Sequence, residues 1–229
     1  MSENENDKKT NSTEEIKEEI KKETKETVNQ VKETIKKVDF KEDTKATTSF
    51  VKEMFSNPFE AIRNVASGKE NVFSKAVILT IIYIALSIIC QILSLFKYGK
   101  YSGLGHNFKN LIISILNPAI YIVVVSAVVY LFNRENKKSL TTVLSTIVVC
   151  SVPIIINEAI SIIAVLVSGI SIITSPISTM FSAIATVLTY FGMKDLLEVD
   201  EHKDFIKKYA VIRLVIAFAF VILARIGIY

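Results

Sequence analysis

One stretch limits the fold of this chain more than any other. Residues 76–96, AVILTIIYIALSIICQILSLF, run for 21 residues without a charge, a proline or a glycine. A helix rises about 1.5 Å per residue, so this one covers roughly 30 Å, the thickness of a bilayer's hydrocarbon core. Few water-soluble cores could bury such a run on every side. The chain is therefore expected to be a membrane protein.

Charge divides the rest. Residues 1–75 carry 15 Lys/Arg and 16 Asp/Glu, whereas residues 76–229 carry 12 and 7. A polar arm thus precedes an apolar body, and the overall net charge of +4 describes neither part. The expected fold class is all-α: a polytopic membrane protein with a five-transmembrane-helix bundle behind an N-terminal arm. The expected spans are about 75–96, 110–132, 140–167, 174–193 and 209–228, each an apolar run bounded by polar loops.

Residues 1–49 form the charged cytosolic arm, expected to begin disordered because residues 1–13 offer almost nothing apolar to bury. From about 14 to 39 a narrow apolar stripe recurs at helical spacing through Ile16, Ile20, Val28, Val31, Ile35 and Val38. Three readings of that stripe stay open: a solvated helix, a coiled-coil strand, or a helix lying on lipid headgroups. Residues 40–49 read as a polar linker. Residues 50–74 hold a short amphipathic helix at about 58–67 and a linker. Asn57 is expected to cap that helix, Pro58 to fill its first turn, Glu60 to complete a capping box and Gly68 to end it. Its apolar residues, with Phe55, Phe59, Ile62 and Val65 the candidates, are expected to rest at the membrane interface.

Basic residues near the span ends set the orientation. With the N-terminus inside, eleven Lys/Arg flank the inner ends and four the outer ends. The arm is then cytoplasmic and the C-terminus outside. Few of the basic residues are arginine, and isoleucine is abundant. That bias suggests an AT-rich, bacterial source and hence the bacterial cytoplasmic membrane.

Polar side chains within spans mark the candidate site, because ionisable groups in lipid are costly and turn inward. Gln91, Asn117, Asn157, Glu158 and Arg225 each lie 15 to 18 residues from the inner end of their span. That puts all five at a common height of about 22–27 Å. They are expected to form one polar layer, with Glu158 pairing to Arg225.

Enzyme chemistry finds little support. The two histidines, His106 and His202, fall in loops expected on opposite sides of the membrane. There is no His-Glu-x-x-His, no Gly-x-Ser-x-Gly and no cysteine pair at metal-ligand spacing. The glycines of loop 97–109 follow no strand and lack the Lys-Ser/Thr ending of a phosphate loop. Cys90 and Cys150 read as small buried residues at different depths. No catalytic residue, cofactor or metal is expected.

Asn57-Pro58-Phe59 with the Ile-Arg-Asn helix behind it, Ser151-Val152-Pro153 midway in the third span, and Tyr190-Phe191-Gly192-Met193-Lys194 at the exit of the fourth resemble the Yip family. These are five-span Golgi membrane proteins that interact with Ypt/Rab GTPases, and the likeness is strongest to the bacterial branch. It covers about residues 50–229, and the charged arm departs from it. The resemblance implies five spans, a cytosolic N-terminus and no enzymatic activity. In eukaryotes it would imply GTPase and vesicle-coat partners, which a bacterial member lacks.

The expected function is a non-enzymatic integral membrane scaffold or adaptor whose arm meets a protein or the lipid surface. The alternative is a small transporter or channel-like oligomer with a polar site around Glu158, motivated by prolines inside spans. The expected partners are the lipid bilayer, a protein contact for residues 14–39 and a second copy of the chain. No nucleic acid is expected.

Overall fold

A computed structural model describes residues 3–37, 39–70, 72–98, 104–133, 136, 138–167, 171–199 and 201–225. Among them the regular structure is helical: α1 (Glu3–Lys37), α2 (Phe40–Ser56), α3 (Pro58–Ala66), α4 (Phe73–Tyr98), α5 (Leu104–Phe132), α6 (Leu140–Cys150), α7 (Val152–Leu166), α8 (Ser171–Leu197) and α9 (His202–Arg225).

Among the described residues two helices are long and apolar enough to cross a membrane, Phe73–Lys97 within α4 and Ile173–Leu197 within α8. The α6–α7 pair, bent by 43°, makes a third when taken as one span. In α5 the apolar stretch Leu116–Phe132 is shorter. Lys207, Lys208, Arg213 and Arg225 interrupt α9. The end of the expected fifth span, 226–228, lies outside the described residues, as does part of the loop 97–109.

The N-terminal third is more helical than expected. The helix of the arm starts at Glu3, not near 14. Glu and Lys are good helix formers, and pairs such as Glu33–Lys37, 3.8 Å apart, add support one turn on. The expected linker 40–49 is the first half of α2. Asp39 starts that helix: its Oδ1 accepts the Glu42 N–H at 3.2 Å, while Asp43 Oδ2 accepts the Asp39 N–H at 2.9 Å. This reciprocal cap satisfies two amides that would otherwise lack partners. Helix α5 likewise begins at Leu104, ahead of the expected 110.

Helix α3 has the expected length but a different start. Pro58 occupies its first turn, yet the Asn57 side chain makes no backbone cap and its Nδ2 donates instead to Glu60 Oε2. The end follows expectation. Gly68 takes φ +75°, which a side chain would oppose, and its N–H returns to the Val65 carbonyl at 3.0 Å.

The bent α6–α7 segment is the centre of the body. Pro153 stands in the first turn of α7 and has no N–H to return to the carbonyl four residues back, so the helix breaks there. Ser151 steadies the corner: its Oγ donates to the Ile147 carbonyl at 2.8 Å, and its own carbonyl accepts from Ile154 and Ile155. Helices α4 and α8 flank this segment, α5 packs on α4 and α6, and α9 packs on α5 and α8. Helix α3 is wedged between α6 and α8, α2 lies on α3 and α4, and α1 lies across α4 and α6.

Asn136 and Lys138, between α5 and α6, are tied to the end of α8. Asn136 Nδ2 donates to the Leu196 carbonyl at 3.2 Å, and Lys138 Nζ meets Glu198 Oε1 at 2.6 Å. At the start of α4, Lys75 pairs with Glu70 at 3.0 Å and stands 4.7 Å over the Phe50 ring, joining α2 to that helix.

Candidate functional site

The face of α4 that turns toward α5 and α7 is polar. Tyr83, Ser87, Cys90 and Gln91 recur at spacings of four, three and one, so they share one side of a helix otherwise made of Ile, Leu and Ala. With Asn117 and Pro118 of α5 and Glu158 of α7 they line a cavity of about 170 Å³. Ser87 and the Cys90 thiol lie beside the Glu158 carboxylate, and Ser94 lies beside Cys90. The Asn117 Oδ1 is buried and receives no hydrogen bond. No lysine, arginine or histidine is in the lining.

Three of the five residues expected in a polar layer therefore meet: Gln91, Asn117 and Glu158. Asn157 does not line the cavity, although its Oδ1 is buried without a donor. Arg225 is not part of it either. It sits exposed on the last turn of α9, which packs on α5 and α8, and among the described residues no ion pair joins it to Glu158. Residue counting gives the height of a side chain but not its bearing around the helix, and α9 does not bring Arg225 round to α7. Cys90 also departs from expectation, being partly exposed in the cavity wall, whereas Cys150 is buried. Ser87 and Tyr83, which are not among the expected site residues, share the helical register of Gln91, a signal present in the sequence.

The four residues expected at the interface divide into two pairs. Ile62 is 0% exposed, and Val65 is buried with it against α6 and α8. Phe59 is 49% and Phe55 45% exposed. Phe59 leans edge-on against Phe191 of α8, with centroids 4.7 Å apart. Helix α3 is thus a wedge with one aromatic edge outward, because the gap between α6 and α8 accepts its aliphatic face.

That gap is where the sequence motifs converge. A Cβ placed on Gly192 would stand 2.7 Å from Cys150 Sγ, 3.2 Å from Thr146 Cγ2 and 3.4 Å from Ile62 Cγ2. The Cys150 thiol donates to the Leu188 carbonyl at 3.3 Å. Helix α3 behind Asn57-Pro58-Phe59, the Ser151-Val152-Pro153 corner and the Gly192 exit motif therefore meet at one point, held close by the absent side chain.

The arm is tethered as well. Glu23 Oε2 of α1 accepts the Leu140 N–H at 3.2 Å, at the first turn of α6, where Ser139 Oγ accepts from Thr142 N at 3.2 Å. A carboxylate suits the positive end of a helix. Thr27 of α1 is buried, and Ile20 joins the apolar cluster around Met193 and Phe205.

An apolar helical body with candidate spans, a polar cavity between its helices and a charged arm laid across one end define a helical membrane protein. Residues 52–224 match the Yip1 domain, and the chain belongs to that family. No curated protein and no solved structure matches it.

Proposed function

We propose that the protein is a non-enzymatic membrane adaptor of the bacterial branch of its family, with five spans, a cytoplasmic N-terminus and an arm that presents a charged surface to a protein partner. The observation that carries this reading is the docking of α1. One side of the helix is held through Glu23, Thr27 and Ile20, while Lys22, Lys25, Glu26 and Lys36 face outward and exposed. A helix fixed to the body by one face and charged on the other is fit to be read by a second protein. Helix α9 supports five spans: Leu214, Phe218 and Val221 are exposed on one face, an apolar strip suited to lipid. The eukaryotic GTPase and coat partners do not carry over to a bacterial chain.

The test is a photo-crosslinker at position 25 in the full chain within native membranes. A discrete protein adduct, reduced when Glu23→Ala loosens the arm, supports the adaptor. Lipid adducts alone, or none, overturn it. The second reading, a small transporter, draws on the Glu158 cavity, and flux into proteoliposomes that disappears in Glu158→Gln would support it.

A further inference from the structure

The geometry points to a binding site for a monovalent alkali cation in the cavity between α4, α5 and α7, with Glu158, Asn117 Oδ1 and Ser87 Oγ as its oxygen ligands. This goes beyond the adaptor and depends on neither functional reading, since it concerns occupancy and not movement across the membrane.

The lining decides the sign of the ligand. Glu158 brings one negative charge into a region where a lone carboxylate is expensive. No cationic side chain lines the cavity, and the nearest lysine along α4, Lys97, donates to the Val165 carbonyl at the far end of α7. The lining polar groups are mostly oxygen: a carboxylate, two hydroxyls and the oxygens of two side-chain amides, beside the Cys90 thiol. The Asn117 oxygen is buried in the cavity wall with no donor directed at it, an unmet acceptor that a turn of its side chain would bring to a cation. Ser87 lines the cavity beside Glu158, and a hydroxyl has lone pairs to offer a cation.

The chemistry also fixes the class. Hard oxygen donors suit alkali and alkaline-earth ions better than soft metals. One carboxylate balances one positive charge, and a divalent ion would leave a net charge in low dielectric. The 170 Å³ cavity is more than ten times the ~10–15 Å³ that one water needs, so the ion would enter with part of its hydration shell. Pro118 lines the same cavity and, lacking an N–H, frees a backbone carbonyl one turn earlier in α5.

Cys90 supplies a reporter in the wall of this site, and the second cysteine, Cys150, is buried. The full chain in detergent is alkylated with N-ethylmaleimide at fixed pH and ionic strength in sodium, potassium or choline chloride. The expected result is slower alkylation of Cys90 in sodium or potassium than in choline, by roughly tenfold at ten times the dissociation constant. Protection should disappear in Glu158→Gln and weaken in Asn117→Ala. Equal rates in the three salts overturn the proposal, including the case where pH alone changes them, which would leave Glu158 neutralised by a proton. Protection that persists in folded Glu158→Gln overturns it too. If that variant fails to fold, the wild-type comparison still decides.

Discussion

The sulfur of Cys150 occupies the space where a side chain at Gly192 would begin, 2.7 Å from the ideal Cβ position. Two helices distant in sequence, α6 and α8, are therefore in register at a point that admits no added methyl. Gly192→Ala should destabilise the bundle by about 1–3 kcal/mol, the range for overpacking a tight core. Cys150→Ala in the same chain should return part of that loss by removing the colliding sulfur. Denaturation of the four members of the cycle in mixed micelles measures the coupling, and additive effects would show that the two residues do not press on one another.

Helix α3 offers a contrast within nine residues. Ile62→Ala empties a site that is 0% exposed and should cost about 2–5 kcal/mol. Phe59→Ala removes the edge-on contact with Phe191 and should cost about 0.5–1.5 kcal/mol. The second substitution should nevertheless weaken retention of α2–α3 at a bilayer surface more than the first. Thermal unfolding and depth-sensitive quenching separate the two effects.

The arm should respond to a single atom group. Glu23→Ala removes the acceptor of the Leu140 N–H and the charge near the start of α6, a loss of about 1 kcal/mol on the scale of helix caps. Hydrogen exchange over residues 17–37 should then speed by about fivefold, the factor that such an energy sets. Glu23→Gln keeps an oxygen and should show a smaller increase. No change in exchange in either variant would mean that the arm is held by its apolar contacts alone.

The five crossings proposed above can be tested from outside the cell. Single cysteines placed after residues 104 and 171 should react with an impermeant thiol reagent added to intact cells. Those after residues 136 and 200 should react only once the membrane is opened. The reverse pattern would invert the chain, and labelling of 136 together with 171 would reduce the number of crossings.

How much of this was legible depended on what kind of information each feature needs. The charge-free run 76–96 announced α4, since length and apolarity alone are enough. Pro58, Gly68 and Pro153 act through their own covalent geometry: Pro58 and Gly68 start and end α3 where expected, and Pro153 stands at the bend between α6 and α7. The polar residues were placed at a shared height by counting, but the face each one presents depends on how its helix is turned against its neighbours. Gln91, Asn117 and Glu158 accordingly met and Arg225 did not. The cap at Asp39 has a local signature in Asp39-x-x-Glu42-Asp43, but the polar composition of residues 40–49 points as readily to a linker. Contact between Glu23 and Leu140 had no local signature at all, being a meeting of distant segments.

That last contact has a consequence for biosynthesis. Leu140 is assembled 117 residues after Glu23. At about 5–20 residues per second, the ribosome needs roughly 6–23 s to deliver the docking surface after the arm has emerged. Throughout that interval the nascent segment must stay soluble beside a greasy, half-inserted polypeptide, and its dense mixture of lysine and glutamate keeps it from following that neighbour into the lipid.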